Sequence, residues 1–392
     1  MNGKYRSLIL VLLLWAAGLC AAGQFAKIAV PFTEFRALYP DAGSSIGWLL
    51  SLISFVGAVA GLTAGAVVGS LGLRRMLFGG LILGAMLSFW QASLPGFGLF
   101  AASRVLEGAA HLAIVIAAPT LIANVSADRF RGIAMALWST FFGVAFALVA
   151  WIGLPQVKAF GVPPLFVVHG VLTLLVTALL ALLLKSGDAP KADSNALKPG
   201  TVLSGLATAL RSPSIAAPGV GWLFYTLTFV ALLAVLPERL PPEQRDTVLG
   251  LLPLLGIAVS LTFVPGLMKV IGAGTLLWIG FGLALSAVLF AGAFPLTLIC
   301  IALFAALGLV QGSGYASVPE LNSGVRERAL SFGLIAQTGN IGNLTGTPIL
   351  LFVLDRTGEV ALFHFLAVLY GLAVAALLFL HYLRNRTQPN PA

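Results

Sequence analysis

The sequence predicts an all-α membrane protein with twelve transmembrane helices in two pseudo-symmetric six-helix bundles. Three observations support this fold class: the composition is very apolar, twelve runs of membrane-spanning length follow one another, and the two halves share local patterns. Hydrophobic residues make up 59% of the 392 residues and charged residues only 9%, against about 25% charged residues in a typical soluble domain. Such a chain has too few polar groups to cover its surface in water.

Twelve apolar runs have the length of a membrane span, which is about 20 residues. The first six lie near 8–30, 45–68, 76–94, 98–122, 131–154 and 163–184, and the second six near 214–236, 247–268, 274–292, 295–318, 329–352 and 361–383. The first run continues to Pro31, so we predict a retained helix and not a cleaved signal peptide. The predicted domains are an N-terminal bundle over 1–184, a cytoplasmic linker over 185–213 and a C-terminal bundle over 214–392.

The distribution of Lys and Arg predicts the orientation. With the N-terminus inside, the cytoplasmic segments hold 15 of the 22 basic residues, the outer segments hold 6, and Arg104 lies within a span. Because cytoplasmic loops carry the excess of Lys and Arg, we expect both termini on the cytoplasmic side of an inner membrane. The net charge of +9 is scattered between apolar runs, whereas nucleic-acid binders cluster basic residues on one face. No nucleic-acid partner is therefore expected.

The two halves of the sequence repeat some local features. Pro31 follows span one and Pro237 follows span seven, each with a glutamate close behind, while Pro119 leaves span four and Pro319 leaves span ten, each ahead of two arginines. Weak internal symmetry between two six-helix halves is typical of alternating-access transporters. Coincidence among proline-terminated helices is the alternative explanation.

Two motifs carry a family resemblance. The chain reads GAVVGSLGLRR over 65–75, after span two, and RVLEG over 104–108, in span four. Together with the twelve spans, these segments resemble the signatures of the major facilitator superfamily along nearly the whole chain. The resemblance implies a conformational-gating role for the residues Gly65, Gly72, Arg74 and Arg75. Gly69 stands where the family usually has an acidic residue, which puts the charge-relay lock of that position in doubt.

The ends of spans one and four, with Lys27 before Pro31 and two alanines before Pro119, resemble the cyanate and nitroimidazole transporter branch of that superfamily. The glycine-proline signature that the family's exporters carry in span five is missing. Import is therefore favoured over export.

The charged residues within span four are candidates for proton coupling. Arg104, Glu107 and His111 stand at i, i+3 and i+7 on one helix face, and a charge inside the bilayer costs at least about 2.5–3.5 kcal/mol. Glu107 is the carboxylate that would change its charge, and His111 would extend the relay. Two structural readings remain open: Arg104 and Glu107 simply neutralise each other, and His111 is a core histidine.

Candidates for substrate binding follow from the resemblance, which implies that spans one, four, seven and ten line a central cavity. Lys27 and Arg104 lie at similar depths by the helical rise per residue, and two cations against one carboxylate favour an anionic solute. The alternative for Lys27 is snorkelling to the outer headgroups. For the aromatic candidates named below it is a core or lipid-facing position, and for Asn340 it is helix packing. The further candidates are polar or aromatic: Gln24, Trp222, Tyr225, Gln311, Tyr315 and Asn340.

The predicted function is proton-coupled transport of a small anionic solute by alternating access, and the alternative is a proton-antiport exporter of drugs or metabolites. The expected partners are the small-molecule substrate, protons and the lipid bilayer, with the protein acting as a monomer. No enzyme activity, metal or other cofactor is expected. The sequence has no clustered catalytic set, no metal-ligand spacing and no soluble stretch that would hold a nucleotide-binding domain.

Overall fold

The computed structural model describes residues 3–188, 199–236 and 239–387, and this part of the chain is helical along nearly its whole length, with no β-strand. Twelve helical stretches, α1 to α12, follow the order of the predicted spans. They are α1 Gly3–Ala29, α2 Trp48–Leu71, α3 Leu73–Gln91, α4 Phe97–Val125, α5 Asp128–Phe160, α6 Pro163–Leu183, α7 Pro213–Val235, α8 Pro242–Thr262 with Val264–Ile271, α9 Ala273–Leu289, α10 Leu296–Leu321, and α11 and α12 as the two parts of Val325–Thr387 on either side of Gly358.

The helices have the dimensions of a multi-pass membrane protein. Within the described ranges, eight of them are long and apolar enough to cross a bilayer, and the bent α8 makes a ninth. The other three predicted spans fall on α2, α9 and α11. Shorter helices connect some of the spans: Phe32–Leu38 and the 3-10 segment Pro40–Gly47 lie between α1 and α2, and Pro199–Arg211 precedes α7.

The contacts divide the chain into two compact units. The first contains 1–128 and 141–203, and the second contains 129–140 and 204–392. The boundary runs through α5, whose first part, Asp128–Ser139, groups almost entirely with the second unit, and whose remainder includes a π-helical turn at Val149–Gly153.

In the first unit, α4 lies against α1, α2 and α3, while α6 packs against α1 and α3. Glycines bring these helices close together. A Cβ atom at Gly108 of α4 would lie 2.5 Å from the carbonyl oxygen of Ile53 in α2, and a Cβ atom at Gly80 of α3 would lie 2.8 Å from the carbonyl oxygen of Ala110. Small residues that allow such close approach are characteristic of packing between membrane helices.

In the second unit, α10 packs against α8 and α9, and α7 packs against α11. A Cβ atom at Gly308 of α10 would lie 2.6 Å from the carbonyl oxygen of Gly256 in α8. The two parts of α8 meet at an angle of 46°. Pro265 follows this break, and its missing N–H and its ring prevent a regular helix at that point.

The local geometry of the first unit recurs in the second with an offset of about 200 residues. Gly308 makes the same kind of close helix contact as Gly108, and Gly72 and Gly272 precede their helices with the same φ of 77°. Pro119 and Pro319 both lie near the ends of their helices. The internal repeat read from the sequence therefore has a structural counterpart, although Pro237 and Glu238, part of the first echo, lie outside the described residues.

Candidate functional site

A buried charge cluster of Lys27, Arg104 and Glu107 lies in the first unit. Lys27 comes from α1 and the other two from α4, and the side chains are 0–1% exposed. The Nζ atom of Lys27 lies 2.6 Å from Oε1 of Glu107, and Nη1 of Arg104 pairs with Oε2 of the same carboxylate. One carboxylate thus serves two cations, which leaves the cluster with a formal charge of +1. Lys27 is buried and paired, so snorkelling does not describe it.

Neutral groups complete the surroundings of Glu107 and Arg104. The amide nitrogen of Gln91 at the end of α3 donates to Oε2 of Glu107 and to the hydroxyl of Ser103, each at 2.9 Å. Nε of Arg104 donates to the carbonyl oxygen of Leu49 at 2.9 Å. The Nη2 atom of Arg104 has no hydrogen-bond partner among the described residues. This buried donor, in a cluster with excess positive charge, is suited to an anionic group.

A second set of contacts leads from Lys27 to α6. Nζ of Lys27 donates to the hydroxyl of Ser88 at 2.6 Å, and that hydroxyl lies 2.7 Å from Nδ1 of His169. The other ring nitrogen of His169, Nε2, lies 2.8 Å from the carbonyl oxygen of Cys20. The lysine also lies over the ring of Phe166, 4.7 Å from its centroid, at a distance typical of a cation–π contact.

His111 and Gln24 lie near the charge cluster without joining its hydrogen bonds. Nδ1 of His111 donates to the carbonyl oxygen of Ala21 at 3.0 Å. Among the described residues no hydrogen bond joins His111 to Glu107. This absence agrees with the alternative reading of His111 as a core histidine. The amide of Gln24 is fully buried and has no partner for its nitrogen or its oxygen in the described part of the chain. Gly84 provides the space for it, because a Cβ atom there would lie 2.5 Å from the amide nitrogen.

The second unit contains an aromatic cluster of Trp222, Tyr225 and Tyr315, with Gln311 beside it. The ring of Trp222 is 4.7 Å from that of Tyr225 and 4.7 Å from that of Tyr315, centroid to centroid. The hydroxyl of Tyr225 donates to the amide oxygen of Gln311 at 3.2 Å. Asn340 stays apart from these contacts, since its amide donates to the carbonyl oxygen of Ala336 in its own helix at 2.7 Å. The aromatic cluster is neutral.

The internal repeat shows how differently the two units use the same helix positions. With the offset of 200, the charged positions Arg104 and Glu107 correspond to Phe304 and Leu307, and His111 corresponds to Gln311. All the ionisable side chains that α4 places in the core of its unit are thus replaced by apolar or amide groups in α10.

Comparison with known proteins decides the family. The sequence profile of the Major Facilitator Superfamily matches residues 14–318. The chain belongs to this superfamily. It is therefore a multi-pass transporter and not an enzyme, as the sequence motifs predicted. No curated protein matches the sequence.

Several solved structures of the superfamily share the fold. Two structures of FucP, one in the outward conformation and one of the E. coli fucose:proton symporter, have TM-scores of 0.76 and 0.74 at 18% identity, each covering 98% of this chain and 100% of that chain. The human organic anion transporter TETRAN has a TM-score of 0.71 at 17% identity and covers 96% and 100%. The proton:xylose symporter XylE, bound to 6-bromo-6-deoxy-D-glucose, has a TM-score of 0.74 at 14% identity and covers 98% and 97%. At these identities the likeness concerns the fold.

The residues predicted for gating lie at the junction of α2 and α3. Gly72 has a φ of 77° and a ψ of 138°, a backbone conformation that L-residues rarely adopt. Arg74 lies over the ring of Phe78, 5.2 Å from its centroid, and Arg75 is exposed. The side chains around Gly65 lie outside the described set.

Ser88, Gln91 and His169, which all contact the charge cluster or its partners, were not among the predicted site residues. They belong to spans three and six, whereas the family resemblance assigns the central cavity to spans one, four, seven and ten. A usable signal existed, because His169 is an ionisable residue inside an apolar span, and such residues are rare and functional by default.

Proposed function

We propose that this superfamily member is a proton-coupled secondary transporter of a small organic or inorganic anion, with Glu107 as the proton site. The observation that carries the proposal is the buried cluster of two cations on one carboxylate. The cluster has more cations than carboxylates, and protonation of Glu107 raises its charge from +1 to +2. An anion bound at Lys27 or Arg104 then offsets one of these positive charges in the bilayer interior.

The same geometry couples the anion to the proton. While Glu107 is ionised, its two oxygens occupy Lys27 and Arg104 and compete with any incoming anion. Protonation of Glu107 weakens both ion pairs and makes the cations available. An attraction between unit charges about 4 Å apart is worth about 4 kcal/mol at an effective dielectric constant of about 20. By thermodynamic reciprocity, the anion favours protonation of Glu107 as strongly as the proton favours anion binding.

The proposal includes a location and a topology. We place the protein in the cytoplasmic membrane as a monomer, with both termini and the linker inside. The predicted cytoplasmic segments hold 15 Lys and Arg residues and the outer segments hold 6. Net inward transport follows when the proton gradient is directed inward.

A second candidate is transport of a neutral hydroxylated solute. The observation that favours it is the neutral aromatic cluster with Gln311 in the second unit, since aromatic faces and amides suit polyhydroxylated ligands. The similar structures include a fucose symporter and a xylose symporter, so fucose and xylose are suitable probes for this candidate. For this candidate Glu107 keeps its role as the proton site.

The test begins with a thermal-shift screen of the purified protein against cyanate, benzoate, fucose and xylose. A ligand that binds the folded form raises its stability as RT ln(1 + [L]/Kd). Uptake of each hit is then measured in proteoliposomes with and without an imposed pH gradient, acid outside. We expect an anion to accumulate only with the gradient. A hit with fucose or xylose and none with the anions would replace the first candidate by the second.

The decisive variant is Glu107→Gln, which keeps the shape and removes the charge. It should abolish accumulation against a gradient while exchange of labelled for unlabelled solute continues. The matched control is Glu243→Gln at an exposed carboxylate of α8, which should behave as the parent does. Undiminished accumulation by Glu107→Gln would overturn the proton-site assignment, and the pair with Arg104 would then be structural.

A further inference from the structure

The hydrogen bonds around His169 define the protonation of its ring. A backbone carbonyl oxygen only accepts, so Nε2 carries the hydrogen in the 2.8 Å contact with the carbonyl oxygen of Cys20. In the neutral ring Nδ1 is then an acceptor, and it receives the hydroxyl hydrogen of Ser88. The ammonium group of Lys27 also only donates, so the oxygen of Ser88 accepts from Lys27 at 2.6 Å. Each hydrogen bond in this series therefore has one assigned donor and one assigned acceptor.

The contacts form one continuous path from Glu107 through Lys27 and Ser88 to His169. Its steps are an ion pair of 2.6 Å between Lys27 and Glu107 and hydrogen bonds of 2.6 Å and 2.7 Å, distances over which a proton can pass between heavy atoms. Glu107, Lys27 and Ser88 are at most 1% exposed, whereas His169 is partly exposed. Of the four, only His169 reaches the surface of its unit.

The backbone of α1 makes room for this arrangement. A Cβ atom at Gly23 would lie 2.8 Å from Cδ2 and 3.0 Å from Nε2 of the His169 ring. Any larger residue at Gly23 would displace the imidazole from the carbonyl oxygen of Cys20 and from Ser88.

We propose that His169 is the relay residue that delivers protons to Glu107, and receives them back, through Ser88 and Lys27. The proposal rests on Glu107 as the proton site of the proposed function, and adds the route by which the proton reaches it. Imidazole is suited to this task because each of its two ring nitrogens can carry or release a proton.

The transfer conserves protons at every group. It starts with His169 protonated at both nitrogens and Glu107 ionised. Lys27 gives one proton to Oε1 of Glu107, the hydroxyl of Ser88 gives its proton to Lys27, and Nδ1 of His169 gives its proton to the oxygen of Ser88. Lys27 ends as an ammonium group and Ser88 as a hydroxyl, unchanged. The net result is a neutral His169 and a protonated Glu107.

The surrounding charges act on both ends of the path: Lys27 repels a protonated His169, whereas the ion pairs with Lys27 and Arg104 favour an ionised Glu107. The charged groups that act on His169 are Lys27 on α1 and Arg104 and Glu107 on α4, and the backbone carbonyl oxygen of Cys20 accepts the hydrogen of its Nε2. Arg74 and Arg75 of the adjacent α3 lie at the opposite end of that helix, and Lys158 of α5 is exposed. A protonated His169 is repelled by Lys27, two hydrogen bonds away. Transfer of the proton to Glu107 removes this repulsion and neutralises the carboxylate.

The experiment follows the arrival of the proton at Glu107 directly and needs no substrate. The parent protein in lipid vesicles is acidified by photolysis of a caged proton, and the carboxylic C=O band of Glu107 is followed by time-resolved infrared spectroscopy. The band that is absent in Glu107→Gln is assigned to Glu107. We expect His169→Asn and Ser88→Ala to slow the appearance of this band by about tenfold or more, with the same final amplitude after equilibration.

The controls separate a relay from a structural role. Thr177→Val removes a hydroxyl on the same helix whose hydrogen bond, within the described part of the chain, goes to the backbone oxygen of Thr173, and should leave the rate unchanged. The double variant His169→Asn/Ser88→Ala should be no slower than either single variant, because both interrupt one path. His169→Gln keeps a donor for the carbonyl oxygen of Cys20 and replaces His169→Asn if that variant does not fold.

The outcomes distinguish the relay from the proposed function. An unchanged rate of Glu107 protonation in His169→Asn or His169→Gln overturns the relay and leaves Glu107 as the proton site. Additive slowing in the double variant also overturns the single path. If the parent shows no carboxylic band that Glu107→Gln removes, the proton-site assignment fails, and the relay fails with it.

Discussion

The two-to-one charge ratio of the buried cluster predicts an asymmetry in stability. Glu107→Gln removes both attractions that hold Lys27 and Arg104 and leaves two buried cations facing each other. Lys27→Met removes one attraction and one repulsion together, and Arg104 remains paired. We therefore expect the loss of the single carboxylate to be far more costly than the loss of one cation.

The magnitudes follow from the burial and the distances. Removing one partner from a buried ion pair costs about 3–5 kcal/mol because it leaves an uncompensated charge, so Glu107→Gln should fall in this range. Lys27→Met replaces a buried ammonium group by an apolar side chain of similar length and should cost about 1 kcal/mol or less. The double variant should recover about 2 kcal/mol relative to Glu107→Gln, because the repulsion between the two cations is gone.

The assay is thermal and denaturant unfolding of the purified variants in one detergent, combined as a double-variant cycle. Lys158→Met, at an exposed lysine of the same unit, is the control for a change of net charge alone. If Lys27→Met proves as destabilising as Glu107→Gln, or if the double variant is the least stable of the three, the charge accounting is wrong. Lys27 would then contribute through its packing and its hydrogen bond to Ser88.

Three further predictions concern packing, a surface ion pair and topology. Gly108→Ala should destabilise the protein by about 1–3 kcal/mol, because its Cβ would meet a backbone oxygen at 2.5 Å, whereas Gly98→Ala, with open space around it, should be neutral in the same unfolding assay. Hydrogen bonds from Arg6 hold the pKa of Asp188 below its usual value, so this contact stabilises the protein above a pH of about 4 and is lost as the pH falls through the lower folded-state pKa. In Asp188→Asn the loss of stability that this contact causes at acid pH should be absent. The measurement is the thermal unfolding temperature as a function of pH. Ser186→Cys, introduced in a cysteine-free background, should react with an impermeant maleimide only after the cells are opened; labelling of intact cells would reverse the proposed topology.

The fold was predictable because membrane insertion imposes a strong one-dimensional pattern. Each run of about 20 apolar residues is a helix, since an unpaired backbone is not tolerated in lipid. The weakest predicted divisions, around 95–97 and 293–295, also coincide with real helix ends. The bend of α8 at 46° was not foreseen, although Pro265, the residue that explains it, was visible in the sequence.

The charge cluster was predictable in part. A spacing of three residues along one helix predicted the contact between Arg104 and Glu107, and this contact is present. The contact between Lys27 and Glu107 joins two different helices, and periodicity within one helix says nothing about rotation between helices. The predicted relay through His111 has no hydrogen bond to Glu107 among the described residues, because the ring turns towards the carbonyl oxygen of Ala21.

The partners that α3 contributes could not be predicted from the sequence, whereas His169 of α6 had the signal of an ionisable residue inside an apolar span. Serine and glutamine are common in membrane helices as packing residues, so Ser88 and Gln91 give no distinct signal on their own. Their contacts depend on how closely the helices pack, and Gly23 and Gly84 mark two such close approaches, to His169 and to Gln24. Such distances come from the three-dimensional packing of four helices at once.

The separation of Lys27 and Glu107 in the chain has a consequence for synthesis. Glu107 follows Lys27 by 80 residues, so a ribosome working at about 5–20 residues per second needs about 4–16 s to make the carboxylate after the lysine. During this interval α1 carries an ammonium group that costs about 2.5–3.5 kcal/mol at the centre of a bilayer. We therefore expect α1 to remain beside the insertion machinery, or with its lysine at the headgroups, until α4 has emerged. Assembly of the first unit, and not the insertion of α1 alone, is then the step at which Lys27 becomes buried.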